Sequence, residues 1–266
     1  MRYIIDNDLH IHSYLSICSG DEKQSSDAIL KYAITNNLRT VCVTDHYWDS
    51  AVACNTAVNW WYEKQDFDHI SQILPLPKSD NVRFLFGCEA DMDSDNVIGL
   101  PPSRYNDFDF IVVSTTHFHH MAGGDWEDTS NSAVANRWLK RMYAVFNSGL
   151  PFNKVGIAHP ACGLINKKSR EDYLETLNII TDPQYEDVFK AASKLGVGIE
   201  LNAGDFKFSD DEAETVLRMF RIAKECGCKF YFGSDAHHNS QFEKSVQYFE
   251  RAVNLLDLKE SDKFLI

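Results

Sequence analysis

Histidines in this sequence recur directly after short apolar runs. His10 and His12 are two residues apart at the end of one run, so their side chains point to the same side of a strand and can reach one metal ion. Apart from His69, the histidines all lie at or within a few residues after such a run. They are His10, His12, His46, His117, His119, His120, His159, His237 and His238. Scattered core or surface histidines would not sort in this way.

Carboxylates occupy equivalent positions in the chain. Asp45 precedes His46 after the second apolar run, Glu89 follows the third, and Asp235 follows the last. Imidazole nitrogens and carboxylate oxygens form a ligand set that suits Zn²⁺, Mn²⁺ or iron rather than Ca²⁺ or an iron–sulfur cluster. Six run ends offer such groups, more than one ion needs, so the sequence predicts a multinuclear metal site.

Strand-type and helix-type segments alternate from end to end, which is typical of parallel strands joined by crossover helices. The predicted strands are residues 3–10, 39–44, 82–87, 108–114, 155–158, 197–201 and 230–233. The predicted helices lie near residues 25–36, 61–74, 131–147, 183–195, 209–226 and 240–255. No linker or repeat divides the chain, so we predict one α/β domain, residues 1–266. In a parallel barrel the carboxyl ends of all strands meet at one face, where the histidines would then gather.

Charge and composition narrow the class of partner. The net charge of −13 argues against an extended nucleic-acid footprint or an anionic membrane surface and favours a small substrate. Seven cysteines, an odd number without framework spacing, predict reduced thiols in a cytoplasmic protein. The first residues lack the pattern of a signal peptide, and no window reaches the roughly 18 apolar residues of a membrane span.

Six segments resemble, in order, the successive motifs of the polymerase and histidinol phosphatase (PHP) domain family. They are Asp8–Ser13, Thr44–His46, Gly87–Glu89, Ser114–His117, Ala158–Pro160 and Gly233–His237. Together they span nearly the whole chain. The resemblance implies a distorted (β/α)7 TIM-like barrel that holds two or three divalent metal ions.

The resemblance also implies the metal ligands, with Glu89 shared between two ions. The first ion would be held by His10, His12, Glu89 and Asp235, the second by Glu89, His117 and His159, and the third by His46 and His237. The family usually supplies one further ligand to the third ion shortly after the HxH pair, often His or Asp. Here Cys18 and Asp21 are the two candidates for that ligand.

Metal ions bridged by a carboxylate can lower the pKa of a bound water to about 7 and neutralise phosphoryl oxygens. We therefore predict a metal-dependent phosphoesterase of the histidinol-phosphatase type that hydrolyses a small phosphate monoester by metal-bound hydroxide. Asp45 and His238 are candidates for proton transfer or for support of the ligands. Lys207, in the loop after Asn202, is the candidate phosphate clamp, because histidinol phosphatases of this family often carry Arg in the corresponding loop. Asn202 is a second substrate-binding candidate.

Three other readings stay open at this point. A phosphodiesterase or nucleotide phosphatase would use Trp48 or the aromatic residues 60–62 to stack a base. An amidohydrolase-type barrel also opens with HxH, but Glu89 and the closing Gly233–His237 motif count against it. A non-catalytic metal-binding module is disfavoured by the full ligand set. Lys167, Lys168 and Arg170 are further cations that follow the fifth strand.

Overall fold

The computed structural model describes the backbone of residues 1–266 and all side chains except that of Asp125. Its strands pair in parallel in the order β1-β2-β4-β5-β6-β7-β8, and the short β3 pairs with β4 in line with β2. The strands are β1 (Asn7–Ile11), β2 (Thr40–Val43), β3 (His46–Tyr47), β4 (Arg83–Ala90), β5 (Phe110–Ser114), β6 (Val155–Ala158), β7 (Gly198–Asn202) and β8 (Lys229–Gly233).

The sheet curves until its two ends meet. The backbone N–H of Asp235 donates to the carbonyl of His10 at 2.8 Å, and that of His12 donates to Ala236 at 3.1 Å. These bonds join the segment after β8 to β1 and leave a nearly closed barrel of seven parallel strands. The predicted distorted TIM-like barrel is therefore confirmed.

The described part of the chain forms eight helices around the barrel, and several of them begin with ordinary capping chemistry. Ser25, Ser130 and Ser169 each accept a hydrogen bond from the first turn of the helix that follows. The helices are α1 (Ser26–Thr35), α2 (Asn59–Tyr62), α3 (Phe67–Ile70), α4 (Asn131–Phe146), α5 (Arg170–Ile179), α6 (Asp182–Leu195), α7 (Ala213–Glu225) and α8 (Phe242–Leu255). No helix in the described part of the chain is both long and apolar enough to cross a membrane.

The prediction of a single helix over residues 61–74 is wrong. The segment forms α2, α3 and a 3-10 turn at Ser71–Ile73. Asp66 starts a new helix because its side chain accepts from the backbone N–H of His69 at 3.0 Å. Gln65, the residue before Asp66, binds the turn that follows β1, since its side-chain oxygen accepts a hydrogen bond from the backbone N–H of Ile17 at 3.0 Å. The sequence pattern also missed α5 and β3.

Two apolar clusters divide the core. The larger joins strand residues to side chains from the helices, such as Ile29 and Trp138, and lies between the barrel and its helical shell. The smaller contains strand residues and Phe264 but no helix residue, so it fills the barrel interior. Leu85 belongs to this inner cluster, and Glu89 lies four residues further along the same strand on the same side. The interior packing thus supports a polar layer at the carboxyl end of the barrel.

Gly156 is required by the inner packing. A Cβ at this position would lie 2.4 Å from a ring carbon of Tyr231, which is fully buried. We expect Gly156→Ala to lower the free energy of unfolding by about 1–3 kcal/mol, because the ring has no room to move in a filled interior. Gly163→Ala is the matched control, since a Cβ there meets no atom within 4 Å. Denaturant unfolding measures both, and equal stability of the two variants would contradict this account of the interior.

Candidate metal centre

Glu89 lies at the centre of a cluster of imidazoles at the carboxyl ends of the strands. It is buried. The strand β4 extends to Ala90, so Glu89 lies within the strand and not after it, as the sequence predicted. Its Oε2 lies 3.1 Å from His46 Nδ1, 3.4 Å from His12 Nε2 and 3.6 Å from His10 Nε2. One carboxylate oxygen therefore faces three imidazoles delivered by β1 and β3.

The other carboxylate oxygen faces the opposite side of the barrel mouth. Glu89 Oε1 lies 3.0 Å from His159 Nε2 and 3.8 Å from His117 Nε2. These histidines follow β6 and β5, and the centroids of their rings are 5.1 Å apart. The two oxygens of one carboxylate thus face two separate groups of imidazoles, an arrangement that would suit a bridging ligand.

Asp235 and His237 complete the cluster from the end of β8. Asp235 Oδ1 lies 3.1 Å from His12 Nε2 and 3.7 Å from His10 Nε2. The His237 ring stacks on His12 with centroids 4.2 Å apart. Asp235 and His159 have φ values of +52° and +29°, a region that costs energy for residues other than glycine. Such strain is characteristic of functional sites, where the surrounding structure holds it in place.

All six imidazoles of the cluster are fixed through Nδ1. The partners are Glu200 for His10 at 2.9 Å, Ser16 for His12 at 2.9 Å, Asp91 for His46 at 3.0 Å and for His117 at 2.8 Å, Thr116 for His159 at 2.7 Å, and the Asp235 carbonyl for His237 at 2.8 Å. Histidines that bind metals are oriented in this way, with the second nitrogen left for the ion. Each Nε2 is accordingly available as a ligand.

Asp91 and Glu200 are functional residues that the sequence analysis missed. Asp91 is fully buried and holds both His46 and His117. Glu200 is also fully buried, and besides His10 it accepts a short hydrogen bond from the backbone N–H of His159. Each lies two residues from a residue that had been singled out, Glu89 and Asn202, so the alternation of side chains along a strand was the signal that could have found them.

The carboxylates at the centre are anionic. Burial alone would raise the pKa of Glu89, but the imidazoles of His46 and His10 outweigh it and hold the pKa well below its usual value. For Asp235, burial is likewise outweighed by His10 and His12, so its pKa is also lowered. Ionised carboxylates are the form that coordinates a cation.

The donor set fits bound metal ions. Glu89 Oε2 is buried and makes no hydrogen bond within the described part of the chain. A buried anionic oxygen that accepts no hydrogen bond is costly, and a cation placed among these residues would remove that cost. Four overlapping groups bring three or more ligand atoms within 4.8 Å of one another. They are His10, His12 and Asp235; His10, Glu89 and His159; His46, Asp91 and His117; and His12, Cys18, His46 and His237.

Comparison with known proteins identifies the family of this chain. The sequence profile of the PHP domain matches residues 8–262. This chain belongs to the PHP domain family. A relative from Caldicellulosiruptor saccharolyticus, described as a probable phosphatase, is 22% identical and covers 98% of this chain and 95% of its own length. Another probable phosphatase, from Thermoanaerobacter sp. X514, is 26% identical over 97% of this chain and 90% of its own length.

A solved structure has the same fold as this PHP domain. It is histidinol phosphate phosphatase from Lactococcus lactis in complex with zinc, L-histidinol and phosphate. It is 14% identical to this chain, covers 93% of both chains and superposes with a TM-score of 0.53. At that identity the likeness establishes the fold of the PHP domain, and the arrangement of ligands rests on the distances given above.

Asp45 and His238 lie near the imidazole cluster around Glu89 but in different surroundings. Asp45 is buried and accepts two hydrogen bonds from Ser13, one from the backbone N–H and one from the hydroxyl, both at 2.6 Å. It therefore holds the turn that follows β1. His238 is exposed, and its Nδ1 lies 3.7 Å from Asp21 Oδ2. Asp21 thus turns toward His238, whereas Cys18 joins the imidazoles.

The predicted substrate-binding residues line a cavity of about 570 Å³ next to Asp235 and His237. Lys207 is exposed on its wall, with Nζ 5.3 Å from the centroid of the Tyr248 ring. Asn202 is buried, and its side chain accepts from Gly204 N at 2.7 Å. Lys207 therefore lies on the wall of this cavity, while the Asn202 side chain holds the loop that follows β7.

The other cationic residues that follow β6, Lys167, Lys168 and Arg170, do not contact the imidazole cluster around Glu89 in the described part of the chain. Lys168 donates a short hydrogen bond to the Thr129 carbonyl, and Arg170 pairs with Glu212 at 2.7 Å. Lys167 lines a separate cavity of about 390 Å³ together with His119.

Of the aromatic residues proposed to stack a base, two are unsuitable. Trp48 and Tyr62 are buried and pack against each other with ring centroids 5.1 Å apart. Trp60 is exposed, with 55% of its surface accessible. Of these four aromatic residues in the described chain, Trp61 approaches the imidazole cluster, with its ring centroid 5.8 Å from that of His46.

Asp91 provides a test of how the ligands are oriented. In Asp91→Asn the side chain keeps its shape but loses its charge and one acceptor, so His46 and His117 are no longer both held. We expect the affinity for Zn²⁺ to fall about 10- to 100-fold with the fold retained. Competition with a chromogenic chelator measures the affinity, and Asp95→Asn, an exposed position on the same loop, is the control. Equal affinities in the two variants would exclude an orienting role for Asp91.

Proposed function

We propose that this PHP-domain protein is a metal-dependent phosphatase that hydrolyses a small phosphate monoester. The observation that carries the proposal is the buried Glu89 carboxylate, which lies between two groups of imidazole nitrogens at the barrel mouth. Relatives described as probable phosphatases and a neighbour solved with zinc and phosphate support the same reaction class.

Three sets of ligands would hold the ions. The first is His10, His12, Glu89 and Asp235, the second is Glu89, His117 and His159, and the third contains His46 and His237. Nitrogen and oxygen donors of this kind accept Zn²⁺, Mn²⁺ or Fe²⁺. When bound, such ions would activate water for attack on phosphorus and neutralise charge on the phosphoryl oxygens.

The side chains of the protein have separate tasks in this reaction. Glu89 keeps the two groups of imidazoles at one position, and Asp91 and Glu200 fix the direction of their rings. Asp45 holds the turn after β1 in place and has the role of a support, since both of its oxygens are engaged by Ser13. These contacts pre-organise the ligands, so little rearrangement is needed when substrate binds.

Lys207 would bind the phosphate oxygens that do not react. It lines the same cavity as Asp235 and His237, so a phosphate held at the cluster would lie between the ligands and this ammonium group. The cavity of about 570 Å³ is in the range of small-molecule sites, roughly 300–1,000 Å³. Lys cannot make the bidentate contact with phosphate that Arg makes. Histidinol phosphate is therefore one option among small phosphate monoesters.

The proposed reaction is tested with a panel of phosphate monoesters, phosphodiesters and cyclic amides on protein loaded with Zn²⁺, Mn²⁺ or Fe²⁺. We expect turnover of at least one monoester to exceed that of every diester and amide. Glu89→Gln should abolish it, since a neutral amide cannot hold two groups of ligands around cations. Elemental analysis should find at least two ions per wild-type chain and fewer in the variant.

Glu186→Gln is the matched control, because Glu186 lies on α6 with 46% of its side-chain surface accessible and pairs with Lys190. It should keep both its metal and its activity. A preference for diesters or amides would contradict the monoesterase proposal and favour a phosphodiesterase or an amidohydrolase. Full activity of Glu89→Gln, or well under one ion per folded wild-type chain, would contradict the proposed metal-dependent mechanism.

Lys207→Ala separates phosphate recognition from metal binding. An ammonium group donates hydrogen bonds and cannot coordinate a cation, so metal content should stay unchanged. A charge-assisted contact of about 1.5–3 kcal/mol corresponds to a roughly 10- to 100-fold loss of kcat/KM on monoesters. Phosphodiesters carry one charge less and should lose less. Lys194→Ala, on the exposed end of α6, is the control, and equal kcat/KM in the two variants would show that Lys207 does not bind phosphate.

A further inference from the structure

Cys18 is the only sulfur ligand near the cluster among the residues that the structure describes. It lies in the turn between β1 and α1 and is half-buried. Its Sγ and one ligand atom each from His12, His46 and His237 all lie within 4.8 Å of one another. The other cysteines are not part of any such group within the described residues.

The turn that carries Cys18 is fixed by the cluster itself. Ser16 Oγ is 2.9 Å from His12 Nδ1 and 3.4 Å from Cys18 Sγ. Ser19 Oγ donates to the carbonyl of His237 at 2.6 Å. Residues on both sides of Cys18 in the sequence, Ser16 and Ser19, therefore bind the cluster and hold the thiol beside the imidazoles.

We propose that Cys18 Sγ, as a thiolate, coordinates a divalent transition-metal ion together with Nε2 of His46 and Nε2 of His237. This inference rests on the metal-dependent site proposed above and adds a third kind of donor to it. The Nδ1 atoms of the two histidines are occupied by Asp91 and by the Asp235 carbonyl, which leaves Nε2 of each for the ion.

His12 belongs to a different ion. Its Nε2 has one lone pair and lies 3.1 Å from Asp235 Oδ1 and 3.2 Å from His10 Nε2, so it completes the first ligand set. An ion at Cys18 would then be held by two nitrogens and one sulfur from the protein. Three protein ligands and an open position are typical of catalytic rather than structural zinc.

A sulfur donor changes which metals this position accepts. Thiolate is a soft ligand and favours Zn²⁺, Co²⁺ or Fe²⁺, whereas Mn²⁺ and Mg²⁺ favour oxygen. The thiol releases its proton to solvent when the ion binds. The ion at Cys18 is therefore expected to be distinguishable, by its spectrum and by its metal preference, from ions held by nitrogen and oxygen alone.

Cobalt substitution tests the proposal without any substrate. The wild-type chain loaded with Co²⁺ should show a near-ultraviolet charge-transfer band from thiolate to cobalt. Cys18→Ser should lose that band and about one Co²⁺ per chain, while its circular dichroism stays that of the wild type. Cys226→Ser is the matched control, because Cys226 is half-buried at the end of α7 and should leave band and stoichiometry unchanged.

Cys18→His distinguishes a lost ligand from a damaged turn. It should restore the number of bound Co²⁺ ions but not the charge-transfer band. A wild-type chain that binds two or more Co²⁺ ions without the band would overturn the assignment of Cys18 and leave the proposed phosphatase intact. Persistence of the band in Cys18→Ser would overturn it as well. A wild-type chain that binds no Co²⁺ would overturn both.

Discussion

The buried negative charge of Glu89 is the constraint on which the rest of the site depends. An ionised carboxylate enclosed by protein is stable only if positive charge or hydrogen-bond donors surround it. Here the neighbours are imidazoles, and Oε2 makes no hydrogen bond within the described residues. Metal ions among these residues would supply the missing positive charge, and the same charge would assist the attack of water on a phosphate ester.

The barrel brings the other ligands to this carboxylate. Parallel strands all end at the same face, so β1, β3, β5, β6 and β8 each deliver an imidazole or a carboxylate beside Glu89 of β4. A second layer then fixes the direction of the rings: Asp91 and Glu200 hold Nδ1 of three histidines, and Ser16 holds a fourth. The backbone of His159 and Asp235, with positive φ values, lies within the same cluster.

Local patterns in the sequence predicted parallel strands and the polar residues at their ends, and the resemblance to the PHP domain family implied the barrel. Apolar runs locate the strands, and the polar residue that follows each run marks the carboxyl end. Asp91 and Glu200 were missed because their histidine partners are 26 to 190 residues away in the chain. The alternation of side chains along a strand indicates which side they face but not which residues they contact. The choice between Cys18 and Asp21 likewise depended on the path of a turn whose bonds run to Gln65 and His237.

Anomalous diffraction from crystals grown with Zn²⁺ and inorganic phosphate tests the central claim most directly. The account predicts at least two anomalous peaks on either side of Glu89, each about 2.0–2.2 Å from one of its carboxylate oxygens. Phosphate should lie on the same face, between these peaks and Lys207. Fully formed crystals with no peak at Glu89, or with one ion that does not touch its carboxylate, would contradict it.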